Sequence, residues 1–262
     1  MVTVVTLADV GKLFHKNSIC LERGLTGNLR NGVPRSLFEK SMLKEDGNSF
    51  CLSAFCNIMS IFAAHMKKKI LFLHGFYASG SCVPALALKE AFEEKATVLT
   101  PDLPLHPADA IKLIREICDS EKPDILVGNS CGSFYAQMIS PIIGVPALLG
   151  NPHFKMSDFL RERIGSHQYK SPRADGNQNF TITEELVKEF EEIEAHQFDC
   201  CNKYNQERVW GLFGEEDTLA HFEPLFLKHY LNSYHFPGGH TPTAEQFKTW
   251  YCPLIEKMML KF

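Results

Sequence analysis

The chain has 262 residues, of which 45% are hydrophobic and 22% charged, enough apolar content for one domain with a sizeable core. Its formal net charge of −4 and the lack of a dense basic patch argue against a nucleic-acid-binding surface. These values are ordinary for a soluble globular protein and exclude a strongly basic binding domain.

Nine cysteines are spread along the chain at positions 20, 51, 56, 82, 118, 131, 200, 201 and 252, without a C-x-x-C pair. An odd number without paired spacing favours free thiols in a reducing compartment, so we expect a cytoplasmic protein. No further ligands stand at metal spacing around Cys200-Cys201, and we expect no metal site. Because neither a G-x-x-x-x-G-K-[ST] loop nor an H-E-x-x-H pair occurs, we also expect no cofactor.

Residues 1–65 show no sustained periodicity, and their apolar part, Phe50–Met66, is diluted by Asn57 and several serines. This stretch is only just long enough for a membrane span and is too polar to predict a stable one. Residues 66–70, Met-Lys-Lys-Lys-Ile, look like a natural start followed by a first strand. We therefore expect residues 1–65 to be a poorly ordered extension, dispensable or produced by a misplaced start codon, ahead of a catalytic domain at 66–262.

From residue 66 onward, short apolar runs alternate with amphipathic stretches. The predicted strands are Ile70–His74, Thr97–Thr100, Asp124–Asn129, Ala147–Gly150, Arg208–Phe213 and Ser233–Phe236. The predicted helices are Ala85–Glu94, Ala108–Ser120, Phe134–Ile139 and Phe247–Met259. Nearly continuous apolar strands that alternate with helices predict an α/β fold with a mostly parallel central sheet and helices on both faces.

Residues 152–207 interrupt this alternation with a polar loop, Asp175–Asn179, and an acidic helical stretch, Glu184–Gln197. We interpret the segment as a small cap-like insertion over the sheet edge that acts as a partial lid.

The sequence Gly128-Asn129-Ser130-Cys131-Gly132 follows a predicted buried strand and precedes a predicted helix. This G-x-S-x-G pattern in a strand–turn–helix context is typical of a nucleophile elbow, in which a serine stands at a sharp turn beside the first amides of a helix. We therefore predict Ser130 as a nucleophile. Cys131 is a rival nucleophile, although its side chain should point into the start of the helix.

A serine nucleophile needs a base, and position selects His240 among the eleven histidines. It follows the last predicted strand, after two glycines that let the loop bend towards the elbow. His235 lies inside that strand, and His221 and His229 are expected in a helix, so we interpret these three as packing or surface residues.

The base needs a carboxylate that orients it, and Asp217 follows the strand that ends at Phe213. Glu215 and Glu216 are rivals in the same loop. The chain order Ser130, Asp217, His240 is that of α/β-hydrolases.

Two backbone amides should stabilise the oxyanion in such a site, and one is that of Cys131, directly after the serine. The other is expected in the loop after the first strand, from Phe76 or, less favoured, Tyr77. His74 is expected to hold this loop by hydrogen bonding.

Residues 66–262 resemble the small bacterial esterases of the YqiA-type α/β-hydrolase family. The shared segments are 71–76 (Leu-Phe-Leu-His-Gly-Phe), 101–104 (Pro-Asp-Leu-Pro), 107–110 (Pro-Ala-Asp-Ala), 127–130 (Val-Gly-Asn-Ser), 132–136 (Gly-Ser-Phe-Tyr-Ala), 150–152 (Gly-Asn-Pro) and 237–240 (Pro-Gly-Gly-His). Two departures are Cys131, where the family usually has leucine, and the Gly214–Asp217 loop, where it often has Gly-Asp directly.

The resemblance implies a compact hydrolase with a Ser-Asp-His triad that acts on short acyl esters and acyl-CoA thioesters. We expect Tyr77 and Asn151 to contact the small-molecule substrate. The leading hypothesis is a carboxylic ester hydrolase that forms an acyl-enzyme. A thioesterase or amidase with the same triad, or a non-catalytic binding protein on a hydrolase scaffold, remain alternatives, and the oligomeric state is left open.

Overall fold

A computed structural model of the protein describes residues 67–262. The expectations for the N-terminal extension at 1–65 and for the apolar stretch Phe50–Met66 lie outside these residues. Among residues 67–262, no helix combines the length and the apolar character needed to cross a membrane.

Six parallel strands form the central sheet, in the order β2-β1-β3-β4-β7-β8. They are β1 (Lys68–Leu73), β2 (Ala96–Leu99), β3 (Ile125–Asn129), β4 (Ala147–Gly150), β7 (Val209–Gly214) and β8 (Asn232–Phe236). Each coincides with a predicted strand to within two residues, which confirms the predicted parallel sheet. The carboxyl ends of all six strands consequently meet at one edge, where an open sheet of this kind binds its ligands.

Helices cover both faces of the sheet. The longer ones are α1 (Val83–Phe92), α2 (Pro107–Glu121), α3 (Cys131–Ile143), α5 (Glu184–Glu194) and α9 (Cys252–Lys261). Alternate residues of β1 show the two layers, because Leu71 and Leu73 pack with α2, α3 and α5, whereas Ile70 and Phe72 pack with α1 and α9. Strands buried on both faces explain the nearly continuous apolar runs in the sequence.

The last predicted helix is divided into three pieces. A short helix α8 (Ala244–Gln246) begins at a capping box on Thr243, a π-helical turn covers Phe247–Tyr251, and α9 follows. Pro253 lies at the start of α9 and has no amide hydrogen to donate, so the wider turn directly before it relieves the break in helical bonding.

The helix expected to contain His221 and His229 is much shorter than predicted. Helix α7 covers only Glu223–Phe226, so His221 precedes it and His229 lies in the turn that follows. The expected helical position of both residues was therefore wrong. After Phe226 the chain continues in turns, in which the Phe226 carbonyl accepts hydrogen bonds from the amides of both His229 and Tyr230.

The insertion at 152–207 contains helices and a small hairpin. Its elements are α4 (Met156–Arg161), β5 (Gly165–Gln168), β6 (Asn179–Ile182), α5 and α6 (Lys203–Gln206), with β5 and β6 antiparallel. Phe180 of the hairpin lies 5.6 Å from Phe76 and 5.4 Å from Tyr77 between ring centroids. The insertion therefore packs on the loop after β1, at the carboxyl edge of the sheet, while its action as a lid stays a prediction.

The turn from β3 into α3 has a crowded backbone. Ser130 has φ 56° and ψ −118°, a conformation that side chains disfavour. A Cβ on Gly128 would lie 2.5 Å from the Ser133 backbone, and one on Gly132 would lie 1.9 Å from the Leu73 carbonyl oxygen. Glycine at both positions lets α3 begin directly behind Ser130 and against β1.

We expect Gly132→Ala to lower the free energy of unfolding by about 3 kcal/mol or more, because the new methyl group would displace backbone of β1. Urea unfolding followed by circular dichroism measures the effect. Gly176→Ala is the matched control, since Gly176 has φ 74° in open space and its replacement adds only backbone strain of about 1 kcal/mol. Equal losses in the two variants would contradict the crowded turn.

Candidate active site

Ser130 and His240 lie in hydrogen-bond contact although 110 residues separate them in the chain. The Ser130 Oγ is 2.7 Å from the His240 Nε2 atom. The loop after β8 brings His240 to the elbow, and its backbone passes close to the acid loop, since a Cβ on Gly214 would lie 2.4 Å from the Gly238 carbonyl oxygen. The structure thus brings together the predicted nucleophile and the predicted base.

Asp217 occupies the other side of the imidazole. Its Oδ2 atom is 2.8 Å from His240 Nδ1, while Oδ1 accepts the amides of Leu219 at 2.7 Å and Ala220 at 3.1 Å. Burial by itself raises the pKa of Asp217, but the hydrogen bond and charge of His240, with the two amides, outweigh it and lower the pKa. An ionised Asp217 accepts a hydrogen bond from the Nδ1–H group, so Nε2 carries no hydrogen and can accept a hydrogen bond from the Ser130 hydroxyl.

The two rival acids do not reach His240. The side chains of Glu215 and Glu216 are exposed, and their backbone amides donate to the carbonyls of Phe236 and Gly238. The two residues therefore join the acid loop to the loop that carries His240.

The amides of Phe76 and Cys131 belong to the two segments that meet beside Ser130. Neither N–H donates a hydrogen bond within residues 67–262, and the loop of Phe76 lies against the elbow, since a Cβ on Gly75 would be 3.5 Å from the Ser130 Cβ. Cys131 begins α3, so its amide belongs to the positive end of a helix of 13 residues. These are the donors expected for an oxyanion.

The Cys131 thiol is poorly suited to nucleophilic attack. It is 2% exposed, and burial raises its pKa to about 12, so that it stays protonated at neutral pH. Its side chain lies in the core that includes Phe134 and Tyr135, away from His240.

His74 fixes the loop after β1, as expected. Its Nδ1 donates to the Gly75 carbonyl at 2.8 Å and its Nε2 accepts the Leu103 amide at 2.9 Å. Burial lowers the pKa of His74 to about 4, so the ring is neutral and able to play both parts at pH 7.

Asn151, which was expected to contact substrate, is fully buried and does not reach the cleft. Its Nδ2 donates to the carbonyls of Gly239 and His240, each at 2.9 Å, and its Oδ1 accepts the Gly214 amide at 2.6 Å. The side chain thus ties the end of β7 to the loop of His240. Its left-handed backbone, with φ 41°, suits asparagine better than most residues.

A cleft of about 420 Å³ opens beside Ser130 and His240. Tyr77 lies in its wall, as expected for a residue that contacts substrate. The other walls come from the elbow, the loop after β1, the insertion and the two loops that carry Asp217 and His240. They include Phe76, Asn129, His153, Met156, Phe159, Arg163, His167, Lys170, Leu219 and Thr241.

His153 is a cleft residue that sequence reasoning missed. Its ring lies 6.5 Å from that of His240 and packs edge-to-face on Phe159 and Phe222. Its Nδ1 atom is buried without a hydrogen-bond partner among the described residues. Burial, and then the charge of His240, lower the pKa of His153 to about 4. The only sequence signal was its position just after a strand end.

The described cysteines and the metal-ligating side chains form no further site. All six cysteines in this part of the chain are free. Within residues 67–262, no three His, Cys, Asp or Glu side chains are grouped as they would be around a metal ion.

We expect Asn151→Ala to lower the free energy of unfolding by about 3 kcal/mol, because it leaves three buried backbone groups without partners and retains the left-handed backbone. Urea unfolding measures this loss. Asn179→Ala, at an exposed position, is the control and should change stability by less than about 0.5 kcal/mol. A similar small change in both variants would show that the Asn151 bonds contribute little.

The buried, neutral histidines should make the fold sensitive to acid. The unfolded chain binds a proton at His153 below its ordinary pKa of 6.5, whereas the folded chain does so only near pH 4, so stability is full above 6.5 and falls as the pH drops below it. Between pH 7.5 and pH 5 this single group costs on the order of 2 kcal/mol.

Between pH 7.5 and pH 5, we therefore expect the free energy of unfolding to fall by about 2 kcal/mol less in His153→Phe than in the wild type. Phenylalanine suits the site because the ring packs between Phe159 and Phe222. Urea unfolding at the two pH values gives the comparison, with exposed His196→Gln as the control variant. Parallel losses in wild type and His153→Phe would refute the assignment.

Comparison with solved structures identifies the fold. Est1E from Butyrivibrio proteoclasticus matches with a TM-score of 0.57 and 16% identity, over 74% of this chain and 89% of that chain. An esterase domain from a Rhodothermus marinus protein matches with a TM-score of 0.56 and 14% identity, over 75% of this chain and 88% of that one. Alpha/beta hydrolase domain-containing protein 10 from mouse matches with a TM-score of 0.51 and 14% identity, over 72% and 90%.

Identities this low establish the α/β-hydrolase fold and nothing finer. A family model described as "Uncharacterised protein family (UPF0227)" matches residues 69–226, more than half of the chain, a range that includes Ser130 and Asp217 and ends before His240. The chain therefore belongs to UPF0227, the YqiA-like family that its sequence resembles, and has the α/β-hydrolase fold.

Proposed function

We propose that this protein is a serine hydrolase that cleaves carboxylic esters of small molecules through an acyl-enzyme. The observation that carries the proposal is the continuous chain of hydrogen bonds from Ser130 through His240 to Asp217, at 2.7 and 2.8 Å, which opens on a cleft. Serine is a weak nucleophile unless a base accepts its proton, and this geometry supplies the base and its orienting carboxylate.

In the first half of the reaction, Ser130 Oγ attacks the ester carbonyl carbon while His240 Nε2 takes the hydroxyl proton. The carbonyl oxygen becomes an oxyanion, which the amides of Phe76 and Cys131 stabilise by hydrogen bonds. The tetrahedral intermediate collapses, the bond to the alcohol oxygen breaks, and the imidazolium of His240 donates its proton to that oxygen. The alcohol leaves and Ser130 carries the acyl group.

In the second half, a water molecule attacks the acyl carbonyl and His240 accepts one of its protons. Collapse of the second intermediate releases the carboxylic acid, and His240 returns the proton to Ser130 Oγ. Asp217 stabilises the imidazolium in both halves through Nδ1 and is not itself protonated.

The size of the cleft supports short substrates. A volume of about 420 Å³ is near the lower end of the range for small-molecule sites, roughly 300–1,000 Å³. Aromatic side chains of Tyr77, Phe76 and Phe159 provide apolar wall next to the reacting serine. We therefore propose acyl groups of few carbons as the preferred substrates.

We expect Ser130→Ala to lower kcat/KM on p-nitrophenyl butanoate by about 10⁴-fold or more, since no other group in the site replaces the nucleophile. The same variant should lose covalent labelling by a fluorophosphonate probe, which the wild type should show at one site by intact mass.

Cys131→Ala provides the matched control, because it keeps the backbone amide and changes only the buried thiol. Its labelling should be complete and its kcat/KM within about threefold of wild type. Labelling that persists in Ser130→Ala and disappears in Cys131→Ala would overturn the proposed nucleophile.

A further inference from the structure

The cleft beside Ser130 is lined by cationic side chains and, among the described residues, by no carboxylate. Arg163 follows α4 and Lys170 follows β5, so the insertion supplies both charges. Asp217 lies behind His240 and is bonded to it. A protein with a formal net charge of −4 therefore has an electropositive wall at this cleft.

Arg163 is held in place and retains hydrogen-bond donors that no other described residue uses. Its guanidinium carbon lies 3.9 Å from the centroid of the Phe159 ring, and one Nη1 hydrogen bond goes to the Phe159 carbonyl at 2.6 Å. The only carboxylate contact among the described residues is with Glu162, at 3.2 Å, whose side chain is 76% exposed. Nε and Nη2 make no hydrogen bond within residues 67–262. A stacked guanidinium with unused donors is suited to bind a planar anion.

Lys170 has a fixed backbone and an unpaired head group. Its amide donates to the Tyr77 carbonyl at 2.7 Å, and its ammonium lies 5.6 Å from the centre of the Tyr77 ring. No carboxylate of residues 67–262 forms an ion pair with it. His167 lies beside both sites, since its Nε2 donates to the Arg163 carbonyl at 2.6 Å and its ring packs on Tyr77.

Several cations elsewhere in the described chain pair with carboxylates. Examples are Lys68 with Asp124, Lys69 with Glu121, Lys95 with Glu256, Arg161 with Asp158 and Glu191, and Lys248 with Glu90. In those pairs a carboxylate compensates the charge, whereas at the cleft Arg163 has only the exposed Glu162 and Lys170 has no carboxylate partner among residues 67–262.

We propose that this cleft selects esters that carry an anionic group, and that Arg163 and Lys170 bind that group while Ser130 meets the scissile carbonyl. The inference names a substrate class for the proposed function and rests on it for the reaction. Charge-assisted hydrogen bonds from a guanidinium beside low-dielectric aromatic walls discriminate strongly between a carboxylate and a neutral isostere. A carboxylate and a phosphate share this chemistry.

The test compares each ester that carries a carboxylate with the ester in which a carboxamide replaces that carboxylate. The two have nearly the same shape, and the second has no charge. One pair places the carboxylate on the alcohol part (4-carboxyphenyl and 4-carbamoylphenyl butanoate), and a second places it on the acyl part (the phenyl monoester of adipic acid and its amide). A third substrate, 4-(butanoyloxy)phenyl phosphate, distinguishes phosphate from carboxylate as the preferred anion.

The full-length wild type is expected to prefer an anionic ester by about tenfold or more in kcat/KM at 20 mM salt. The preference should shrink as salt is raised to 300 mM, because the cations are partly exposed. Arg163→Gln and Lys170→Gln should each reduce the ratio of anionic to neutral kcat/KM by several-fold, and the double variant should bring it close to one.

Arg161→Gln is the matched control. It removes an arginine two positions away, on α4, whose guanidinium pairs with Asp158 and Glu191 and does not line the cleft. Its preference for anionic esters, and its kcat/KM on the neutral esters that carry a carboxamide, should equal those of wild type.

Binding to Ser130→Ala separates this inference from the proposed function. Calorimetric titration with 4-carboxyphenyl butanoate should show tighter binding than with the carbamoyl ester, and the difference should vanish when Arg163→Gln is added. Equal binding and equal kcat/KM for anionic and neutral esters would overturn the anion site while hydrolysis still stood. Selective anion binding without turnover of any ester by wild type would overturn the proposed function alone.

Discussion

The close approach of α3 to β1 at Gly132 is the constraint on which the rest of the site depends. A Cβ at position 132 would lie 1.9 Å from the Leu73 carbonyl oxygen, so only glycine fits there. Because the helix begins there, Ser130 is held at φ 56° and its hydroxyl stands clear of the sheet, beside the first amides of α3. The backbone strain at one residue thus orients both the proposed nucleophile and an oxyanion donor.

The other two members of the proposed triad arrive on separate loops, and polar contacts hold those loops together. Asn151 directly follows β4, and its amide group connects the end of β7 with the backbone at Gly239 and His240. Since all its polar atoms are used and none is exposed, Asn151 acts on the site only through its neighbours. It is a positioning residue in the proposed mechanism.

Much of the fold and most of the proposed triad could be predicted because their signals are local. The strands are apolar on both faces, Ser130 has glycines two residues away on each side, and His240 and Asp217 each follow a strand. The placement of Asn151 could not be predicted, since a residue at a strand end can face either the ligand or the loops behind it. Arg163 gave no signal. The only signal of His153 was its position just after a strand end, because Phe159 and Phe222, between which its ring packs, are distant from one another in the sequence and meet only in the folded protein.

The proposed chemistry forms a positive charge on His240 beside a cationic cleft, and the neutral state of His153 keeps a further positive charge away from it. During acyl transfer His240 becomes an imidazolium, and a second charged imidazole with its ring 6.5 Å away would oppose that step by roughly 2–3 kcal/mol at an effective dielectric constant of 20. Burial between two phenylalanines keeps the pKa of His153 at about 4, so this repulsion is absent at neutral pH. A substrate anion bound by Arg163 and Lys170 would offset the field of these two cations at His240. An anionic ester would therefore favour formation of the imidazolium, whereas a neutral ester would leave both cations uncompensated.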